Sequence, residues 1–224
     1  EDSLTGAPSV SNPLPKDIQP AFPREVPLGE VRKKLLGLLG LDDLPKVVDF
    51  TIEDVQKNDE VASTRVSYTN SLAETLSAVI IAPQSHSRKL PGVVCMHGTS
   101  GRIEKVIADE LRLEEPGGQL LGWGRELARR GYATISISLK GSDVRNKTPG
   151  SWEEEAKLLE AYGRPHMGII VEEALRAARV LAAQDSVNEG RIGLTGMSLG
   201  GYGTWYPMAC EPWIAAGAAG GNVP

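Results

Sequence analysis

The spacing of apolar and polar positions divides the chain into segments with two different periods. From Leu28 to Gly40, residues Leu28, Val31, Leu35, Leu36, Leu38 and Leu39 recur at helical spacing, and Gly40 is a natural stop. Three short β-rich runs follow: Val47 to Val55, Ala62 to Tyr68, and Leu76 to Ala82 ending at Pro83. Turn residues between them predict antiparallel hairpins. The pattern then changes to alternating strand and helix. Gly92 to Met96 reads as an apolar strand, Gly118 to Arg130 as a helix stopped by Gly131, Tyr132 to Leu139 as a strand, and Ser151 to Tyr162 as a short acidic helix. Met167 to Ala183 follows as a long helix, Ile192 to Thr195 as a buried strand, Leu199 to Cys210 as a helix, and Ile214 to Ala219 as a small-residue strand. Such alternation implies right-handed crossovers and an α/β domain whose mostly parallel sheet is covered on both faces. Ligands of such sheets bind beyond the carboxyl ends of the strands. The residues of interest therefore lie just after Met96, Leu139, Thr195 and Ala219.

Composition narrows the function classes. At 224 residues, 41% hydrophobic and 24% charged, the chain can bury one substantial core, and disordered or collagen-like readings are disfavoured. A net charge of -5 argues against a grip on nucleic acid phosphates, which needs a basic face. No apolar run approaches the roughly 20 residues needed to span a bilayer. Two cysteines, Cys95 and Cys210, cannot build a disulfide framework and read as small buried apolar residues. Residues 1–46 read as an extended segment, rich in prolines from Pro8 to Pro23, plus the short helix; residues 47–224 read as part of a single α/β domain. The chain opens at Glu1-Asp2 without an initiator methionine or a recognisable signal peptide, the start expected of a processed secreted or periplasmic protein or of a trimmed cytoplasmic one. The sequon Asn146-Lys147-Thr148 is compatible with export but too common to decide it.

Chemistry concentrates after the strand that ends at Thr195. Gly196-Met197-Ser198-Leu199-Gly200 is a G-x-S-x-G pattern set between a strand and a helix. A sharp strand-to-helix turn of this kind pushes the serine hydroxyl above the sheet edge, and side chains at the flanking glycines would clash. The following helix aims its positive N-terminus at charge developing on a substrate. Ser198 is thus the candidate nucleophile. A second glycine-rich loop, His97-Gly98-Thr99-Ser100-Gly101, follows the strand ending at Met96. The backbone N–H groups of Leu199 and Thr99 are the candidate pair for an oxyanion hole. His97 is either a base or, more commonly for a histidine so placed, a support for the loop. His97, Gly98, Met197, Trp152 and Arg102 complete the set of candidate pocket or loop-supporting residues.

These two motifs, about 100 residues apart and in this order, resemble the α/β-hydrolases, specifically the dienelactone-hydrolase and acetyl-xylan-esterase-like branch. The resemblance runs through Leu76–Pro83, the His97-Gly98 loop, the segment from Gly124 to Ala133, and Arg191-Ile192-Gly193 up to Gly201. It covers roughly Val47 to Gly221. It implies an α/β-hydrolase fold with N-terminal antiparallel hairpin strands, Ser198 as nucleophile, Leu199 and Thr99 as oxyanion donors, and a small-molecule or carbohydrate ester as substrate. Relatives often carry an acid before the glycine in the segment Leu139-Lys140-Gly141-Ser142; here it is lysine.

A serine hydroxyl needs a base, normally a histidine oriented by a carboxylate. After Ser198 the sequence holds one acid, Glu211, and no histidine, while His86, His97 and His166 all precede the nucleophile. Three explanations compete: a longer hydrolase whose C-terminal remainder supplies base and acid, an inactive hydrolase-fold binding module, or a rewired site using His97 or His166. Sheet physics favours the first, because the strand Ile214 to Ala219 would otherwise be an exposed parallel edge. Within enzymes, the rival is a serine peptidase of the prolyl-oligopeptidase type. The acidic run Glu153-Glu154-Glu155 reads as a solvated helix start, although this insertion could also cap the pocket with Trp152 and Tyr162 as walls. Arg102 reads as a surface arginine or as a partner for an anionic substrate group. Metal-binding spacings are lacking, and no cofactor is implied.

Overall fold

The computed structural model describes residues 27–41, 44, 46–114, 119–142, 145 and 152–221. The proline-rich start, the sequon at Asn146, and Ser151 lie outside the described residues.

Three antiparallel strands open the sheet: β1 (Phe50–Lys57), β2 (Val61–Thr69) and β3 (Thr75–Pro83). β4 (Leu90–Met96), β7 (Ala133–Ile137), β8 (Val187–Met197) and β9 (Ala216–Gly220) form its parallel part. The spatial order is β1-β2-β3-β7-β4-β8-β9, with β3 antiparallel to β7. The helices are α1 (Leu28–Leu38), α2 (Ile103–Val106), α3 (Trp123–Arg129), α4 (Trp152–Ala161), α5 (His166–Ala182) and α6 (Leu199–Cys210). A two-stranded hairpin, β5 (Arg112–Leu113) with β6 (Leu120–Leu121), stands apart from the main sheet.

The pattern along β3 shows why the sheet is covered twice. Leu76, Ala78 and Ile80 join the larger core under α1, α5 and α6, while Val79 and Ile81 join a second core against Ile103 and Ala128 of α2 and α3. Alternate side chains leave opposite faces of a strand, so a run with both sets apolar must be buried on both sides. Helix α5 lies deep in the larger core, with Ile169, Ile170, Ala174, Ala178 and Leu181 all buried. Leu39 and Leu41 bury in the same core, and Arg32 Nε donates to the Ala209 carbonyl at 3.1 Å. The helical part of residues 1–46 therefore packs on α6 as part of this body.

Several elements differ from the sequence expectation. Gly118, the expected start of the next helix, lies outside the described residues, and the helix itself begins at Trp123, because Leu120 and Leu121 pair with Arg112 and Leu113. A strand of two residues is too short to show alternation. The strand read as Ile192 to Thr195 extends over Val187–Met197, pairing with β4 and β9 beyond its apolar stretch. Among the described residues no helix is long and apolar enough to cross a membrane.

Strand order reverses at β4, since β7 lies on one side and β8 on the other. Ligand crevices form at such a switch point, outside the carboxyl ends of the flanking strands. His97 follows β4 there and Ser198 follows β8.

Candidate active site

The elbow is built by close backbone approach. Ser198 sits at φ 53° and ψ -114°, left-handed backbone that costs a non-glycine residue about 1–3 kcal/mol. A Cβ at Gly196 would lie 2.3 Å from the Gly200 carbonyl oxygen, and one at Gly200 would lie 2.3 Å from the Met96 carbonyl oxygen. Neither backbone atom can yield, so both flanking positions require glycine. The Ser198 N–H donates to the Gly220 carbonyl at 2.8 Å, tying the turn to β9. Its own carbonyl accepts from the Gly201 and Tyr202 amides and starts α6. Leu199, the first residue of α6, is partly buried, and its N–H belongs to the helix-start group that lacks intrahelical acceptors.

The second loop is brought directly against the elbow. A Cβ on Gly98 would lie 3.3 Å from the Ser198 Cβ and 3.9 Å from its hydroxyl oxygen. The Gly98 carbonyl accepts from His97 Nδ1 at 2.7 Å and from the Gly101 amide at 2.9 Å. In a planar trans peptide the Thr99 N–H points opposite to that carbonyl, away from the His97 ring. Thr99 itself is half-buried. His97 is buried, and its Nε2 lies 3.1 Å from the Ser138 hydroxyl just past β7.

A cavity of about 830 Å³ opens at this edge, with His97, Gly98, Met197 and Gly220 among its lining residues. Val106, Leu113, Leu120 and Trp123 make it largely apolar; one ion pair, Lys105 to Glu114 at 2.7 Å, also lines it. Trp152 and Arg102, expected from the sequence at the pocket, are not among its lining residues. Trp152 packs beside His166, with ring centroids 6.0 Å apart, and Arg102 is exposed at the start of α2. Tyr162, the other suggested wall, is 78% exposed. The hairpin and the start of α3 take those places. Only the aromatic and aliphatic residues scattered between 106 and 123 could have signalled this.

The remaining histidines and the late acid lie elsewhere. His166 packs against Gly141, and burial holds its imidazole below the ordinary value. His86 is exposed. Glu211 caps the far end of the 12-residue α6, about 18 Å along the helix from the elbow, and lies 3.7 Å from Arg179. Cys95 and Cys210 are both buried, and burial raises both thiols, Cys210 to about 11. Among the described residues no group of three or more His, Cys, Asp and Glu side chains is arranged to hold a metal ion.

Beside the crevice lies a charged cluster that the sequence reading missed. Glu173 is fully buried on α5 and accepts from the Lys140 amide at 2.9 Å, from Arg145 at 2.5 Å and from Asn70 at 3.0 Å. Burial pushes its carboxyl above the usual range despite those donors. The Lys140 ammonium reaches Glu74 and Glu155, both at 2.6 Å. Burial alone would lower its pKa, but those two carboxylates raise it. Glu155 thus turns inward from the acidic run, while Glu153 and Glu154 are exposed. A signal existed. Glu173 falls at helical spacing with Ile169, Ile170 and Ala177, and a carboxylate on a buried stripe demands a cation.

No protein-family model matches the chain. The Bacillus subtilis (strain 168) protein named "Putative hydrolase YtaP" is 25% identical over 193 residues, covering 83% of this chain and 61% of that protein. The solved structure of a "putative acetyl xylan esterase" from Bacteroides fragilis NCTC 9343 superposes with a TM-score of 0.71 at 13% identity, covering 85% of this chain and 51% of the other. An acetyl xylan esterase from Paenibacillus sp. R4 gives 0.57 at 16% identity, covering 89% and 60%. The chain therefore spans between half and three-fifths of the length of these proteins, and what it shares with the solved structures is their fold.

Proposed function

We propose that this chain, which has the α/β-hydrolase fold, carries the nucleophile and oxyanion hole of a serine-dependent carboxylic ester hydrolase. The observation that supports this best is the juxtaposition at the switch point. A strained serine at φ 53° meets the backbone of a glycine loop from the neighbouring strand. Strain of this kind persists where surrounding structure over-determines it, and it clusters at functional sites.

In the proposed reaction, the Ser198 hydroxyl attacks the acyl carbon and the N–H groups of Leu199 and Thr99 hold the tetrahedral oxyanion. Collapse expels the alcohol and leaves an acyl-enzyme, which water then hydrolyses. The proton of Ser198 passes to a histidine oriented by a carboxylate, both supplied by sequence beyond residue 224. Two facts support that assignment. Both ring nitrogens of His97 are already engaged, at Gly98 and Ser138, and β9 presents an exposed edge next to the elbow. The substrate is an ester whose bulk fits an apolar cavity; acetylated carbohydrate is the class suggested by the esterases that share the fold.

A fluorophosphonate probe applied to the full-length protein tests the reading. Stoichiometric labelling that disappears in Ser198→Ala is expected; absence of labelling favours an inactive binding module.

A further inference from the structure

The cavity beside the elbow gathers apolar side chains that the fold leaves open to water. Leu113, Leu120 and Met197 are 65%, 42% and 50% exposed, and all three line this one space of about 830 Å³. Large apolar groups left open together around a hollow of ligand size mark a surface shaped to be covered. The hairpin supplies two of them as a unit. Leu113 of β5 and Leu120 of β6 stand directly opposite in the register, so their side chains leave the same face of the ribbon. Val106 of α2 and Trp123 of α3 extend the same wall.

The hairpin is fixed in place by its surroundings. The Glu114 N–H donates to the Gln119 carbonyl at 3.0 Å, the Lys105 ammonium reaches Glu114 at 2.7 Å, and the Gly122 N–H donates to the Lys105 carbonyl at 2.8 Å. Gly122 takes φ 72°, and a Cβ there would lie 2.3 Å from the Glu110 carbonyl oxygen, so the return into α3 admits no side chain. Much of the wall's polar content is turned to protein partners. Lys105 and Glu114 pair with one another, His97 hydrogen-bonds at Gly98 and Ser138, and the Thr195 hydroxyl donates to the Ala218 carbonyl at 2.8 Å. A sugar ring in this space would need a partner for each hydroxyl, and each one unmet weakens binding about fivefold or more. An alkyl or aryl group makes no such demand. Continuity with the elbow says what that group is attached to. Met197 precedes Ser198, the Gly220 carbonyl accepts from the Ser198 N–H, and Gly98 faces the Ser198 Cβ; all three line the cavity.

We propose that Leu113 and Leu120 are specificity-determining residues that hold an alkyl or aryl arm of the ester, so that the reaction speeds up as that arm lengthens. This rests on the ester hydrolase reading and names the part of the substrate that the cavity takes; a polar remainder, a sugar included, lies outside it. Each methylene moved from water onto this wall is worth up to about fourfold in kcat/KM.

The test uses full-length protein, the double variant Leu113→Gln/Leu120→Gln, and a control, Leu158→Gln. The control makes the same change at a leucine of α4 that is 58% exposed and stands outside the cavity wall. Leu113 and Leu120 are themselves exposed, so the double variant leaves the buried core intact. One substrate series lengthens the acid, from p-nitrophenyl acetate to p-nitrophenyl hexanoate; the other lengthens the alcohol, from methyl acetate to pentyl acetate. In wild type, kcat/KM should rise at least about tenfold along one series, and the series that rises tells whether acid or alcohol occupies the cavity. The double variant should shrink that rise about tenfold, and Leu158→Gln should keep it. Flat profiles in both series, or a rise that survives in the double variant, overturn the proposal. If no ester turns over and Ser198 takes no fluorophosphonate, the hydrolase reading fails, and calorimetric titration with hexanoate and with acetate decides the cavity's role. Tighter binding of hexanoate that is lost in the double variant supports the apolar site; equal binding, or a difference that the double variant keeps, overturns it.

Discussion

At the end of β8 the chain bends into an unfavourable backbone conformation to expose one small hydroxyl, whereas at the end of β7 it seals charges of both signs beneath a loop. The two regions share one edge of the sheet. In the first, specificity of geometry comes from glycines that let backbone touch backbone at Gly196 and Gly200. In the second, it comes from Lys140, Arg145, Glu74 and Glu173, whose hydrogen bonds admit few other arrangements. The difference shows how strain and support are divided. Strain is placed where a group stays accessible, and ionic cross-links sit where charged side chains from separate elements are buried together. Lys140 fits this division, because Glu74 and Glu155 neutralise it locally.

The largest effect expected is at the strained end. Ser198→Ala in the full-length protein should lower p-nitrophenyl acetate turnover by about 10⁴-fold or more, with folding intact by circular dichroism. Retained activity would remove the chemical half of the contrast. Next comes the ionic end. Arg145→Met leaves Glu173 buried without its cation and should lower unfolding free energy by about 3–5 kcal/mol in urea titrations. A loss below about 1 kcal/mol would mean that the charged cluster contributes little to stability. A third measurement returns to the elbow. Ser198→Gly should be more stable than Ser198→Ala by about 1 kcal/mol, since glycine accepts φ 53° without a Cβ penalty. Equal stabilities would show that the turn is unstrained.

Acid separates the two regions by direction. Burial alone would raise the Glu74 carboxyl, but hydrogen bonds from Lys140 and Asn70 and the charges of Lys140 and Arg145 bring it below the usual range. A depressed carboxylate stabilises fully above its unfolded pKa, and that contribution is lost as pH falls through the folded value. Urea midpoints taken down through about pH 4 should therefore drop less steeply in Glu74→Gln than in wild type. The smallest effect is the surface control. Arg130→Ala breaks an exposed pair with Glu126 and should change stability by no more than about 0.5 kcal/mol.

What could be read from the chain alone follows from how local each feature is. The elbow was legible because Gly196, Ser198 and Gly200 carry their geometric demand within five consecutive residues. The sheet was legible because two-sided burial writes a continuous apolar run into Val93–Met96 and leaves only small or β-branched residues in Ala133–Ile137. The charged cluster was not, since its members come from positions 74, 140, 145, 155 and 173 and meet only through tertiary packing. The pocket wall was missed for a related reason. Trp123 opens a helix that was read as beginning five residues earlier, and the hairpin beside it has two residues in each strand.

The hydrogen bond from Ser198 to Gly220 also sets an order in time. During synthesis the elbow sequence emerges before the strand that completes it. At typical elongation rates Gly220 follows Ser198 by about 1–5 seconds. Over that interval the serine lacks the acceptor that helps hold its backbone, and β8 is the outermost strand of the nascent sheet. Ser198 is thus among the last residues of this region to gain its full set of backbone hydrogen bonds on the ribosome.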